Sequence, residues 1–188
     1  MRICVYCSSS DRVHGAHVRD ARVLGEAIAE RGWRLVFGGA DVGVMGILAR
    51  AVQGRGGKVT GVIPQAISDK GLAYNAADEL ILTRGLRERK ERMESLADAF
   101  IALAGGFGTL EETLEIITLK QLGLHAKPIV LVNTAGFYDG LMDLFQKMYD
   151  ERFAKPSFGG LYFCAGSVEK ALPYIEAYRP GKIESKWF

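Results

Sequence analysis

FIALAGGFGTLEETLEI, residues 100–116, and LVFGGADVGVMGILARA, residues 35–51, are built alike: an apolar run, a pair of glycines, a short turn, then residues at helical spacing. An apolar run with little alternation is a strand buried on both faces. A strand that passes through a glycine turn straight into a helix is half of a βαβ unit. Working outward, the same alternation fills the chain. Further strands are expected at RICVYC (2–7), WRLVF (33–37), KVTGVI (58–63, ending at Pro64), ELILT (79–83), AFIALA (99–104), PIVLVN (128–133) and LYFCA (161–165).

Helical spacing is expected over 18–32, where Val18, Ala21, Leu24, Gly25 and Ile28 recur and Gly32 marks the stop. Other helices are expected through 38–53 and over 86–97, 109–123, 138–151 and 168–178. The stretch 64–78 has turn residues and weak periodicity and reads mostly as loop. The fold class is α/β: one doubly wound, Rossmann-like domain over 1–179, a parallel β-sheet flanked by helices, followed by a loosely held tail, 180–188. Ligands of such folds bind beyond the carboxyl ends of the strands. The turns to watch are therefore SSSD with Ser8 and Ser9, GGADVGVMG with Gly39, the loop after Pro64, and GGFGTLEE.

At 188 residues, 48% of them hydrophobic, the chain can bury a single good core. Its net charge of +2 comes from interspersed acids and bases. That speaks against a nucleic-acid surface, which would cluster its basic residues. No apolar run approaches the length of a membrane span. MRICVYCSSS reads as a strand rather than a cleavable leader, so the expected location is cytoplasmic. Cys4 and Cys7 have Cys-x-x-Cys spacing, but on a strand such residues face opposite sides and no further zinc ligands lie near. They read as two strand cysteines. His14 and His17 lack a third ligand and read as surface residues; His125, just past a helix, is expected to cap it or face solvent. No metal or cofactor is called for.

Gly105, Gly106 and Gly108 leave backbone bare just before a helix, where free N–H groups and the helix dipole welcome a phosphate; Thr109 adds a hydroxyl. No lysine follows as in a Walker loop, and Glu111 stands where a dinucleotide fingerprint needs glycine. Glu111 and Glu112, expected in the first helical turn, point about 100° apart and cannot share one role. In RERKERM, Arg87, Arg89, Lys90 and Arg92 alternate with Glu88, Glu91 and Glu94 and by themselves read as a solvated face laced with ion pairs.

Taken together, RK…M…DAFIALAGGFGTLEE resembles the signature of the Lonely Guy (LOG) family of cytokinin riboside 5′-monophosphate phosphoribohydrolases, once labelled possible lysine decarboxylases. VYCSSS, GGADVGVMG, GVIP and QLGLHAKPIVLVN follow the family's order and spacing. The resemblance implies hydrolysis of the N-glycosidic bond of a nucleoside 5′-monophosphate to free base and ribose 5-phosphate. It implies Arg89 and Glu112 as the catalytic pair and Lys90 beside them. Gly105, Gly106, Phe107, Gly108 and Thr109 would bind the substrate, with Thr118, Met93, Ser8, Ser9 and Gly39 around the same site. It also implies a homodimer, consistent with the apolar residues on several sides of the helix over 109–123. Ala104 replaces the family's proline, and Leu86-Arg87 replaces a common Met-His; both bear on substrate choice. The competing readings are a nucleotide or molybdenum-cofactor carrier or sensor on the same fold, and a decarboxylase using pyridoxal phosphate.

Overall fold

The computed structural model describes residues 1–187. In chain order its elements are β1 (Arg2–Tyr6), α1 (Gly15–Glu30), β2 (Arg34–Phe37), α2 (Gly43–Gly54), β3 (Lys58–Pro64) and the single turn α3 (Gln65–Ile67). There follow β4 (Glu79–Thr83), α4 (Leu86–Leu96), β5 (Ala99–Ala102), α5 (Phe107–Gln121), β6 (Ile129–Val132), α6 (Asp139–Asp150), β7 (Phe163–Ala165) and α7 (Val168–Ala177). The seven strands form one sheet in the order β4-β3-β2-β1-β5-β6-β7, every pair parallel.

This order has one reversal. The chain steps outward from β1 to β4, then returns to place β5 on the other side of β1. Register is flush at that junction: Tyr6 pairs with Ala102, and Leu103 N–H donates to the Tyr6 carbonyl at 2.9 Å. The turns leaving β1 and β5 therefore diverge side by side, opening a crevice at the switch point.

Strand alternation sorts the core into two layers. Ile3, Val5, Leu35, Phe37 and Ile101 face α1, α2 and α7. Cys4, Tyr6, Val36, Phe100 and Ala102 face the other way, with Met93 of α4 and Ile116 of α5. Cys4 and Cys7 fall in different layers, as strand geometry requires, and both thiols are free.

Several expectations need correction. The 64–78 stretch is not mostly loop: α3 runs into a wider helical turn, Ser68–Leu72, interrupted at Gly71 (φ 74°). Tertiary bonds order it, with an antiparallel bridge from Ala73 to Ala40 and Tyr74 N–H donating to the Gly39 carbonyl at 2.8 Å. LYFCA is strand only from Phe163, because Pro156–Leu161 is a 3-10 turn. Helix α1 begins earlier than expected, at Gly15, because the His14 imidazole caps it by accepting from Ala16 N–H. His17 is half-buried with its ring edge-on to Phe137. His125 does not face solvent: it is buried against Phe100, its Nε2 2.9 Å from the Ile116 carbonyl and its Nδ1 accepting from Lys127 N–H. Along 180–187, Glu184 accepts from Ser157 Oγ at 2.6 Å and the Trp187 carbonyl accepts from Lys155 Nζ at 3.1 Å. Phe188 lies outside the described residues.

Lys120 of α5 is 1% exposed and its Nζ has no hydrogen-bond partner among the described residues. It sits 4.8 Å from the Tyr178 ring centre. Burial lowers it from the ordinary 10.5 to about 8. The folded protein thus sheds a proton more readily than the unfolded chain, so stability should climb as pH rises from about 8 to 10.5. Replacing Lys120 by Met should raise stability near neutrality by about 1–3 kcal/mol and remove that climb. Urea denaturation at several pH values checks both.

Candidate active site

At the switch point lies a cavity of about 360 Å³. The turn after β1 supplies Cys7, Ser8 and Ser9, with Tyr6 at the strand end; Gly38 and Met45 come from the β2–α2 segment; α4 gives Arg89 and Met93; and α5 gives Phe107, Gly108, Thr109 and Glu112. This volume is in the range of small-ligand sites. The structure thus brings together Arg89, Glu112, Met93, Ser8, Ser9, Gly106, Phe107, Gly108 and Thr109.

Helix α5 starts at Phe107, two residues sooner than the spacing predicts, with Gly106 as its N-cap. The amides of Phe107, Gly108 and Thr109 are therefore its first-turn N–H groups, which have no acceptor within the helix. No side chain caps this end. Such amides, at the positive end of the dipole, suit a phosphate. Gly105 lies just behind the rim: a methyl there would overlap the Thr109 side chain, so this glycine keeps Thr109 seated.

Because the helix starts early, Glu111 and Glu112 fall in its second turn. What holds Glu112 is Arg89. Arg89 Nη1 donates to Glu112 Oε1 at 2.6 Å, and Arg89 Nε donates to the Val62 carbonyl at 3.0 Å. The side chains are only 13% and 9% exposed. One guanidinium thus joins α4, the end of β3 and α5. Burial pushes the Glu112 carboxyl above its ordinary 4.5, although the Arg89 charge and hydrogen bond pull it down. The outcome is a carboxylate with little water, one strong donor and a basicity above the usual range, facing the cavity. Burial also pushes Tyr6 and Cys7 upward, so both stay neutral beside it.

Four expected residues lie elsewhere. Lys90, next to Arg89 on α4, turns its amine away from the cavity to Glu111 and to Glu115, the latter at 2.9 Å. Thr118 is exposed on α5, its hydroxyl donating to the Leu114 carbonyl; nine residues beyond Thr109 it is about 13 Å further along the helix. Gly105 supports the turn without lining the cavity. Gly39 is also structural: its φ of +74° and the closeness of the Val62 and Ile63 backbone and side chain exclude a Cβ. Its neighbour Gly38 is the glycine that faces the cavity, and a methyl there would overlap the Arg89 guanidinium. The paired glycines signalled close approach but not which one met the site. Tyr6, Cys7 and Met45 carried no sequence signal beyond their place at strand ends and turns.

A family model described as "Possible lysine decarboxylase" matches residues 45–175. The cytokinin riboside 5′-monophosphate phosphoribohydrolase LOG5 of Arabidopsis thaliana is 38% identical over 190 residues, covering 99% of this chain and 83% of that protein. Its counterpart LOG of Oryza sativa subsp. japonica is 41% identical over 180 residues, covering 95% and 74%. The chain belongs to the LOG family. Among solved structures, the molybdenum cofactor carrier protein of Chlamydomonas reinhardtii superposes with a TM-score of 0.73 at 24% identity, over 93% of this chain and 95% of that one. The molybdenum cofactor binding protein of Rippkaea orientalis gives 0.71 at 24% identity, over 94% and 95%. These two likenesses show the α/β fold that the LOG chain shares with them. As for the decarboxylase label, the cavity lining of this LOG protein contains no lysine to hold pyridoxal phosphate as a Schiff base.

Gly38 offers a clean test of the pair, because its backbone is not in the left-handed region. Gly38→Ala should push the guanidinium off Glu112 and leave the fold intact by circular dichroism. With the cation displaced, the Glu112 carboxyl should titrate at higher pH than in the wild type, read by NMR of protein carrying ¹³C-labelled glutamate side chains.

Proposed function

We propose that this LOG-family chain hydrolyses the N-glycosidic bond of cytokinin riboside 5′-monophosphates, and/or of AMP, to free base and ribose 5-phosphate. The observation that carries the reading is the buried Arg89–Glu112 pair, set in a cavity about one helical turn from free first-turn amides. The names of the relatives agree with it.

In this reading the phosphate sits on the amides of Phe107, Gly108 and Thr109, with the Thr109 hydroxyl beside it. Fixing the phosphate pins the ribose, so that C1′ meets Glu112 without a separate search. Breaking the C1′–N bond builds positive charge on the sugar. The Glu112 carboxylate faces that charge across a site with little water, where its field is strongest. The same carboxylate polarises water, whose oxygen bonds to C1′ while the bonding pair leaves with the base. One proton of that water is taken up by the base, directly or through Glu112. Arg89 holds Glu112 in position and keeps it ionised. Met45 offers adaptable apolar contact for the base and its substituent.

We also infer a homodimer. Leu114 of α5 and Leu122 and Leu124 just beyond it are exposed, and a groove beside them is lined by Ile117, Phe145, Met148 and Tyr149. Thr118 lines this groove rather than the cavity, so any role in the reaction would run through the subunit interface.

The deciding assay is incubation with AMP and with isopentenyl-AMP, following free base by chromatography. Wild-type protein should release base, and Glu112→Gln should lose about two to four orders of magnitude in kcat. The acidic limb of the wild-type rate profile should lie above the ordinary glutamate value of 4.5, since Glu112 must be ionised and burial raises it. Nucleotide binding without release would favour a carrier.

A further inference from the structure

The two cations of α4 that face α5 are consecutive, and they divide their work. Arg89 goes to Glu112 at the cavity. Lys90 goes to Glu111 and Glu115, one helical turn apart on α5. Its side chain is 14% exposed although both its partners are well exposed, at 59% and 41%. An exposed ion pair contributes little to stability. A lysine whose side chain is mostly covered and whose ammonium clasps two carboxylates of one helix is a different object: it restrains where that helix sits along and around its axis. Burial works against the Lys90 charge, yet the two carboxylates outweigh it and hold the amine above its ordinary range.

We propose that Lys90 is a positioning residue, which clamps α5 to α4 through Glu111 and Glu115 and thereby sets where Glu112 meets Arg89. The neighbouring α4 residue supplies the catalytic contact, and Lys90 supplies its alignment. The clasp also silences Glu111. That carboxylate adjoins Glu112 in the chain and raises it, while Lys90 lowers it. The groups acting on Glu112 are Arg89 and Lys90 of α4 and Glu111 of its own helix; from β1 and its turn, Cys4, Tyr6 and Cys7 face it as neutral groups raised by burial.

The kinetic arm rests on the hydrolytic reading above; the titration arm does not. Wild type, Lys90→Met, Lys90→Arg and the triple variant Lys90→Met/Glu111→Gln/Glu115→Gln are compared. In ligand-free protein, the Glu112 carboxyl is titrated by ¹³C NMR. With isopentenyl-AMP, kcat and KM are measured separately. Lys90→Met should move the Glu112 midpoint upward and lower kcat roughly ten- to a hundredfold, with KM changed by less than about threefold. Lys90→Arg, able to reach both carboxylates, should restore most of kcat. The triple variant, with the field of Glu111 removed, should bring the midpoint back toward wild type.

A rise in KM of about tenfold or more in Lys90→Met, with kcat and the midpoint unchanged, would make Lys90 a substrate ligand and overturn the proposal. So would a variant indistinguishable from wild type in all three. If the wild type itself released no base, the hydrolytic reading would fall, and the clamp would be judged by a crystal structure of Lys90→Met, where an Arg89–Glu112 pair left unmoved at 2.6 Å would overturn it.

Discussion

Everything at this site depends on keeping a carboxylate charged where water is scarce. Burying an ion is expensive unless it is paired and hydrogen-bonded. Glu112 is 8% exposed, and its compensation is the Arg89 guanidinium at 2.6 Å. That guanidinium is itself secured by the Val62 carbonyl at the end of β3. The room it occupies exists because residue 38 has no side chain. One ion pair therefore ties α4, α5, β3 and the turn after β2 to a common geometry. A buried pair is weak evidence of stability. It is better understood as a charge held ready for a reaction that develops the opposite charge beside it.

The fold was largely legible. Each of the seven strands falls within a predicted apolar run; for the inner ones the reason is that a strand covered on both faces must be apolar at nearly every position. The Gly-Gly turns pointed to the crevice for the same reason that they form it: backbone must come close to backbone there. What was less legible came from tertiary structure. Residues 64–78 carry no strong period, and their helical turns are fixed by bonds to Gly39 and Ala40 far away in sequence. His125 looked free at a helix end but is drawn under Phe100.

The site was legible in its charged pair and glycine turn and blurred around them. Arg89 and Lys90 are adjacent letters, and nothing local says that one enters the cavity and the other turns toward Glu111. Their separation follows from the 100° step of the helix combined with the placement of α5. Gly38 and Gly39 are a similar case: identical letters, one clearing a guanidinium and one supplying a left-handed turn. Tyr6 and Cys7 reach the cavity because β1 is central, a property of sheet order that no single stretch encodes.

That central place of β1 also bears on how the molecule comes into being. One edge of β1 pairs with β2, whose residues follow within some 30 positions, but its other partner is β5, at 99–102. On a ribosome adding about 5–20 residues per second, that edge waits roughly 5–20 s for its neighbour. Parallel pairing across such a sequence gap is slow even in the finished chain. Until β5 arrives, the nascent protein carries an open strand edge ending in Tyr6 and Cys7, at the place where the cavity will form. An unpaired edge of this kind invites other chains. The growing polypeptide is therefore exposed for a time to misassembly through the same strand end that later lines its ligand cavity.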